Sequence, residues 1–210
     1  IFLLLFYLAY RKSLLKKPII IAGPCLAESK SVVMETASVL YDVVSKFEID
    51  FYFKASYRKA NRSSIDSYSG SGDLAALGWI AEASSKYNFK SITDIHNPDE
   101  AIIAAEYCDA LQIPAFLSRQ TDLLLAAGET GKVVNIKKGQ FMAPEDMIKA
   151  SKKVMTTGNN NILLTERGTS FGYHDLIVDY RGLSIMAQSG FPVIFDATHS
   201  VQRPSIGEQS

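Results

Sequence analysis

A (β/α)8 TIM barrel, with about seven of its eight strands present, is predicted by three observations. Seven short apolar runs alternate with helical stretches along the chain. The runs are almost continuously apolar, as strands buried on both faces are. Nearly every run ends in a reactive side chain, and chemistry spread over the C-terminal ends of many strands is the barrel arrangement. The competing architecture, an open doubly wound sheet, gathers its site at one switch point behind a glycine-rich first loop. Neither a GxGxxG nor a Walker sequence is present.

The predicted strands are Ile19–Cys25, Phe51–Ser56, Ser91–Ile95, Ala110–Ala115, Val133–Lys138, Ile162–Arg167 and Val193–His199. Their reactive ends are Cys25, Lys54, Asp94 with His96, Gln112, Lys137, Glu166 with Arg167, and His199. Between them, Val33, Ala37, Leu40, Val44 and Phe47 share one face of a helix that starts near Ser29. Asn97-Pro98-Asp99-Glu100 opens another, with Asn as the cap and Glu three residues later. Ala143-Pro144-Glu145-Asp146 opens one running to about Met155, and Asp175 to Gln188 reads as a further helix.

The 210 residues, 47% hydrophobic and 21% charged, suffice for one substantial core. Formal net charge is zero, so no global field favours nucleic acid or a membrane surface. Cys25 and Cys108 are too few and too distant for a disulfide framework, and a reducing cytoplasm is the default setting. Residues 1–17 stand apart from the barrel domain at 18–210. IFLLLFYLAY, followed by Arg11, Lys12, Lys16 and Lys17, is too short to span a bilayer, which needs roughly 20 residues. It reads as a truncated or misread start, or alternatively as a terminal strand capping the base of the domain. With no eighth strand before Ser210, the barrel domain looks incomplete at its C-terminus. Two raw sheet edges and poor stability are then expected.

The stretch FYFKASYRKANRSSIDSY, from Phe51 to Tyr68, points to phosphate. Lys54, Arg58, Lys59 and Arg62 are four cations within nine residues, interleaved with Ser56, Asn61, Ser63 and Ser64. Lysine supplies a point charge, arginine a planar fork, and serine and asparagine hydrogen bonds. Gathered at one barrel mouth, Lys54, Lys59, Arg62, Lys137 and Arg167 call for a multiply charged anion. Lys54 and Lys137 have no acid within three residues, while Arg167 has Glu166 beside it. Cys25 and His199 are each readable as buried core groups. Together at two strand ends they are also half of a divalent-metal site. Cys108 reads as core, His174 as a surface or capping group at a helix start, and His96 as part of the mouth.

The strings IAGPC, FKASYRKANRSS, ITDIH, LQIPAFLSRQTDLLLAAGETG, VNIKKGQFMAP, LLTERGTSFGY, LIVDYRGLSIM and VIFDATHSVQ extend from about Ile19 to Gln202. In that order they resemble successive blocks of the 3-deoxy-D-manno-octulosonate 8-phosphate synthases. The resemblance implies a transferase on a (β/α)8 barrel, usually a cytoplasmic homotetramer serving lipopolysaccharide biosynthesis. Its reaction condenses phosphoenolpyruvate with D-arabinose 5-phosphate and water. It also implies a phosphoenolpyruvate site at Lys54, Lys59, Gln112, Lys137 and Arg167, and a sugar-phosphate site at Asn61, Arg62, Ser63 and Asp94. Phe116 and Arg119 are expected to reach the sugar phosphate of a neighbouring subunit, and His199 to sit near the bond-forming carbon. Lys137, His199 and Asn61 are the expected catalytic residues. Cys25, where metal-independent members carry Asn, implies the metal-dependent class with His199 as second ligand; a Glu and an Asp are expected beyond Ser210. Two alternatives stay open. One is a 3-deoxy-D-arabino-heptulosonate 7-phosphate synthase, whose Lys-Pro-Arg-Thr loop differs from Lys59-Ala60-Asn61-Arg62-Ser63 here. The other is an inactive barrel remnant that only binds anions. Lys137→Ala is expected to abolish turnover and leave the fold intact.

Overall fold

The computed structural model describes residues 17–59 and 72–203, together with the backbone pairing of Phe6 and Tyr7. Asn61, Arg62 and Ser63, and most of the 1–17 segment, lie outside the described residues.

The alternation expected from the sequence is present. β1 (Phe6–Tyr7) and β2 (Ile19–Ala22) precede α1 (Lys30–Val44). Then come β3 (Asp50–Lys54), α2 (Asp73–Tyr87), β4 (Lys90–Asp94), α3 (Pro98–Tyr107), β5 (Ala110–Ile113), α4 (Thr121–Glu129), β6 (Val133–Lys137) and α5 (Asp146–Met155). β7 (Ile162–Glu166) is followed by a two-stranded hairpin of β8 (Thr169–Ser170) and β9 (Leu176–Ile177), then α6 (Arg181–Ala187) and β10 (Val193–Phe195). Seven strands run parallel in the order β10-β7-β6-β5-β4-β3-β2, each neighbour the next in the chain. This is a nearly closed (β/α) barrel with one unit fewer than eight. The raw edge expected on the last strand is instead paired. β1 lies antiparallel to β10, with Phe6 opposite Phe195 and Tyr7 opposite Ile194, and its backbone also approaches β2. The alternative reading of the N-terminal run as a terminal strand thus holds for Phe6–Tyr7. Among the described residues no helix is long and apolar enough to cross a membrane.

Local chemistry explains where the helices begin. Ser29 caps α1 by accepting from the Val32 amide at 3.3 Å, and Val33, Ala37 and Leu40 form its buried stripe. The predicted stripe was too long: α1 stops at Val44, and Phe47 is exposed. Asn97 caps α3 by accepting from the Glu100 amide at 3.2 Å, with Pro98 in the first turn. The helix read across Asp175–Gln188 is shorter, because its first part forms β9 and only Arg181–Ala187 is helical. His174 consequently sits in the hairpin turn, left-handed at φ 52°, and not at a helix start.

A two-residue period divides every strand between two cores. Phe51, Phe53, Leu111, Ile113, Val134, Ile136 and Leu164 face the surrounding helices. Ile19, Ile21, Tyr52, Ile92, Ala110, Leu163 and Ile194 pack into the barrel interior. One step further toward the C-terminal ends, the inward positions turn entirely polar. Lys54, Asp94, Gln112, Asn135, Thr165 and Asp196 are all buried there. The barrel therefore has an oily floor and a hydrogen-bonding ceiling, and the ceiling is the base of the site.

The first loop touches that ceiling at Gly23. A Cβ at this position would stand 2.0 Å from the Lys54 carbonyl oxygen and 2.8 Å from its carbon. Backbone cannot yield there as a side-chain tip would. Gly23→Ala is expected to destabilise the protein by about 3 kcal/mol or more, measured by chemical denaturation. Wild-type stability in this variant would refute the close approach.

Candidate active site

Five strands join through side chains in the polar layer. Lys54 Nζ lies 3.0 Å from Asp94 Oδ2 with both groups buried. The Ser56 hydroxyl donates to the same Asp94 oxygen and accepts from Lys54 at 2.7 Å. Gln112 donates to Asp94 Oδ1 at 2.5 Å, Asn135 donates to the Gln112 carbonyl at 2.9 Å, and Thr165 donates to the Asn135 carbonyl at 2.7 Å. Burial disfavours ionised Asp94, but Lys54 and Lys59 outweigh it and hold the carboxyl well below the usual range.

Above this layer opens a cleft with about 500 Å³ of empty space, its mouth included. Lys54, Lys59, Lys137 and Arg167 line it together with Asp94, His96, Gln112 and His199. Gln140, Phe116 and the Pro114–Ala115 backbone complete the wall. Four of the five expected cations converge, Arg62 lying outside the described residues, and the charge balance needs one correction. Lys54 and Lys137 lack acids nearby in sequence, yet each meets a carboxylate from another strand: Asp94 and, at 2.5 Å, Asp196. Glu166 turns to the outer side of the strand. There it lies 3.5 Å from Lys138, whose buried ammonium also reaches the Gly168 carbonyl and the Thr169 hydroxyl. Arg167 is left with a 3.4 Å contact to the His199 carbonyl, and its buried Nη1 has no hydrogen-bond partner among the described residues. Lys59 has no ion pair among the described residues either; it donates to Ser56 at 3.0 Å. Burial, and then the neighbouring charge of Lys54, push the Lys59 ammonium down. Two of the four cations lining the cleft thus sit in carboxylate ion pairs; Lys59 and Arg167 do not among the described residues, though Lys59 also bonds the Cys25 thiol and both feel nearby acids.

Cys25 and His199 do come together. Burial would raise the Cys25 thiol, but a hydrogen bond with His199 and the charges of Lys54 and Lys59 bring it down to about 5. His199 Nδ1 lies 2.6 Å from Asp196 Oδ2, and the same aspartate accepts from the His199 backbone amide at 2.9 Å. Burial opposes ionised Asp196, yet Lys137 and His199 hold its carboxyl far below the usual range. With Nδ1 committed to a carboxylate, Nε2 is the ring nitrogen left for a metal. Among the described residues no three His, Cys, Asp or Glu groups cluster at metal-ligand spacing. Cys25 and His199 thus supply two donors that suit a borderline-soft divalent ion. Cys108 is the contrasting thiol, buried and pushed up to about 12, as a core reading requires.

The rim holds a residue that sequence reading treated only as a helix-start signal. Glu100 accepts from the Tyr57 hydroxyl, Arg58, the Asn97 amide side chain, and both the backbone amide and Nδ1 of His96. Burial opposes its ionisation, but the bonds from His96 and Tyr57 prevail and bring it down to about 2. Arg58 is therefore an anchor at the rim and does not line the cleft. Phe116 stands half-exposed at the mouth, whereas Arg119 lines a separate hollow with Ser118, Met142 and Lys153. Asp196, Asn135, Thr165 and Glu100 were missed as site residues. Asn135 and Thr165 share a signal: each lies on the inward face of its strand, two residues before a cation that was found.

A family model described as the DAHP synthetase I family matches residues 15–210. The chain is similar to a protein named 2-dehydro-3-deoxyphosphooctonate aldolase from Desulfatibacillum aliphaticivorans, 52% identical over 186 residues, covering 89% of this chain and 68% of that one. One of the same name from Granulibacter bethesdensis is 52% identical, covering 89% and 66%. A third, from Protochlamydia amoebophila, is 47% identical over 197 residues, covering 93% and 72%. The chain spans about two thirds of the length of these relatives.

Two outcomes follow from the titrating groups. In metal-free protein, alkylation of Cys25 by iodoacetamide is expected to rise with pH through a midpoint near 5. Cys108 should stay unmodified; a Cys25 midpoint near 9 would contradict the described environment. Glu100 titrates lower folded than unfolded, so its stabilisation is full above about pH 4.5 and is lost as pH falls toward 2. Over that window the wild type should lose on the order of 2–3 kcal/mol more than Glu100→Gln, measured by urea denaturation. Parallel losses in the two proteins would count against the Glu100 assignment.

Proposed function

The chain belongs to the DAHP synthetase I family, among the 2-dehydro-3-deoxyphosphooctonate aldolases. From that premise we propose how its cleft carries out the condensation of phosphoenolpyruvate with D-arabinose 5-phosphate and water, giving 3-deoxy-D-manno-octulosonate 8-phosphate and phosphate. One observation carries the reading: Lys59 and Arg167 face the cleft without a carboxylate partner among the described residues, beside two lysines that have one. Partnered lysines give a preorganised floor. Unpartnered cations bind an incoming anion without first breaking an ion pair.

Carbon 3 of phosphoenolpyruvate attacks the sugar aldehyde, water adds at carbon 2, and phosphate leaves by C–O cleavage. Lys54, Lys59, Gln112, Lys137 and Arg167 hold the phosphoenolpyruvate. Asn61, Arg62, Ser63 and Asp94 receive the sugar phosphate. Both substrates are anions, so bringing their reacting carbons together is mainly a matter of orientation and charge neutralisation. Lys137, poised between Asp196 and His199, is placed to move a proton near the bond-forming carbon, as is His199 itself. Cys25 and His199 are two residues that would hold a divalent metal, which when bound would position or polarise water or the aldehyde. A thiol brought down to about 5 binds such an ion as thiolate at neutral pH.

Phe116 and Arg119 complete the sugar-phosphate site of an adjoining subunit in a homotetramer, which fits Phe116 half-exposed at the mouth and Arg119 in a separate hollow. The enzyme works in the cytoplasm. Asn61 in place of the proline of heptulosonate synthases accounts for preference for the five-carbon sugar.

The test follows phosphoenolpyruvate loss with each sugar phosphate. Rapid loss is expected with arabinose 5-phosphate and at least tenfold less with erythrose 4-phosphate. Lys137→Ala should remove turnover, roughly a thousandfold or more. The variant keeps its secondary structure but melts lower than the wild type, because Asp196 loses its buried partner. Near-normal activity in Lys137→Ala would sink the assignment, as would a preference for erythrose 4-phosphate.

A further inference from the structure

We infer that Asn135 and Thr165 are positioning residues for phosphoenolpyruvate: they lock the Gln112 carboxamide with its amino group toward the cleft. The inference rests on the placement of Gln112 in the phosphoenolpyruvate site given above.

The direction of each bond in the row follows from one end. Asp94 is paired with Lys54 at 3.0 Å and is an acceptor only. The group that Gln112 sets against Asp94 Oδ1 must therefore be its amino group. Its carbonyl is then turned away, toward Asn135, and needs a donor. Asn135 supplies its own amino group at 2.9 Å, which turns the Asn135 carbonyl toward Thr165. The Thr165 hydroxyl donates to it at 2.7 Å. Every amide orientation follows from the carboxylate at one end, and the Thr165 hydroxyl, able to donate or accept, supplies the donor that the Asn135 carbonyl then needs.

Asn135 and Thr165 are fully buried and do not line the cleft, whereas Gln112 does. Their influence on a ligand can only pass through Gln112. One hydrogen of the Gln112 amino group is committed to Asp94, so the second is what Gln112 offers the cleft. Reversing the carboxamide would aim a carbonyl oxygen at an anion and set another against the Asp94 carboxylate. Without the Thr165 hydroxyl, Asn135 is free to rotate its amide. The Gln112 carbonyl then loses its assured donor, and the reversed orientation becomes populated.

Thr165→Val keeps the shape of the side chain and removes the hydroxyl; Thr165→Ser keeps the hydroxyl. In the full chain, Thr165→Val should raise the KM for phosphoenolpyruvate about tenfold. Its kcat should change less than about twofold, its KM for arabinose 5-phosphate should rise less than that for phosphoenolpyruvate because Gln112 also holds Asp94, and Thr165→Ser should restore wild-type values. Should Thr165→Val fail to fold, Asn135→Ser, too short to reach Gln112, carries the same expectation. An unchanged phosphoenolpyruvate KM in the variant used would overturn the inference. So would an equal rise for both substrates, which is what general loosening of the barrel produces. Wild-type calorimetry with phosphoenolpyruvate alone separates the two levels. Wild-type binding with no effect of either variant removes only the positioning role, while no wild-type binding removes the site assignment and this inference with it.

Discussion

The pairing of Lys54 with Asp94 in the barrel interior is the constraint on which the site depends. Two opposite charges there lose several kcal/mol of hydration each, and their mutual attraction offsets this only if their remaining hydrogen-bonding positions are filled. The sequence fills them from four directions. Ser56 and Gln112 complete Asp94; Ser56 also bonds Lys54; Asn135 and Thr165 complete Gln112. The second pair, Lys137 with Asp196, repeats the solution with His199 and two backbone amides as the supporting donors. A barrel ceiling made of such pairs has little freedom to rearrange, which is what a preorganised anion site requires.

Neutralising some cations in place changes what the cluster does. A mouth with every lysine unpaired would repel itself and bind any anion indiscriminately. Here Lys54 and Lys137 are held by fixed carboxylates, and the attraction for a ligand is concentrated at Lys59 and Arg167. Lys54 and Lys59 also bear on Cys25, whose thiolate character they share responsibility for with His199. The charge of the cleft and the ionisation of Cys25 are therefore coupled through the same two ammonium groups.

The fold and most of the cleft were legible because strand ends carry their chemistry in the open. Lys54, Asp94, Gln112, Lys137 and His199 each close an apolar run and stand out against it. Asn135, Thr165 and Asp196 sit inside or just beyond those runs, where a single polar residue reads as noise unless the two-residue phase is followed inward. The partners of Lys54 and Lys137 were hidden for a different reason: ion pairs between different strand ends join residues 40 and 59 positions apart, and a search of nearby sequence cannot find them. Glu100 was seen as the third residue of a helix start. Its actual role, anchoring Arg58 and His96, depends on a rotamer that the sequence pattern does not contain. Cys25 and His199 were legible as strand-end groups, but their hydrogen bond and the lowered thiol follow from a contact that no sequence pattern contains.

Lys137 and Lys138 are adjacent, identical and both buried, yet they point to opposite sides of one strand. The first lines the cleft; the second staples the loops after β6 and β7 to Glu166 and the Gly168 carbonyl. Only the parity of the chain distinguishes them. A slip of one residue in β6 would put a lysine in the cleft and a lysine behind it, just as before, but would turn every other side chain of the strand inside out. This strand should therefore accept many substitutions over evolutionary time and almost no insertion or deletion. An alignment that slides it by one position would assign the site to the wrong lysine without any drop in apparent similarity at that column.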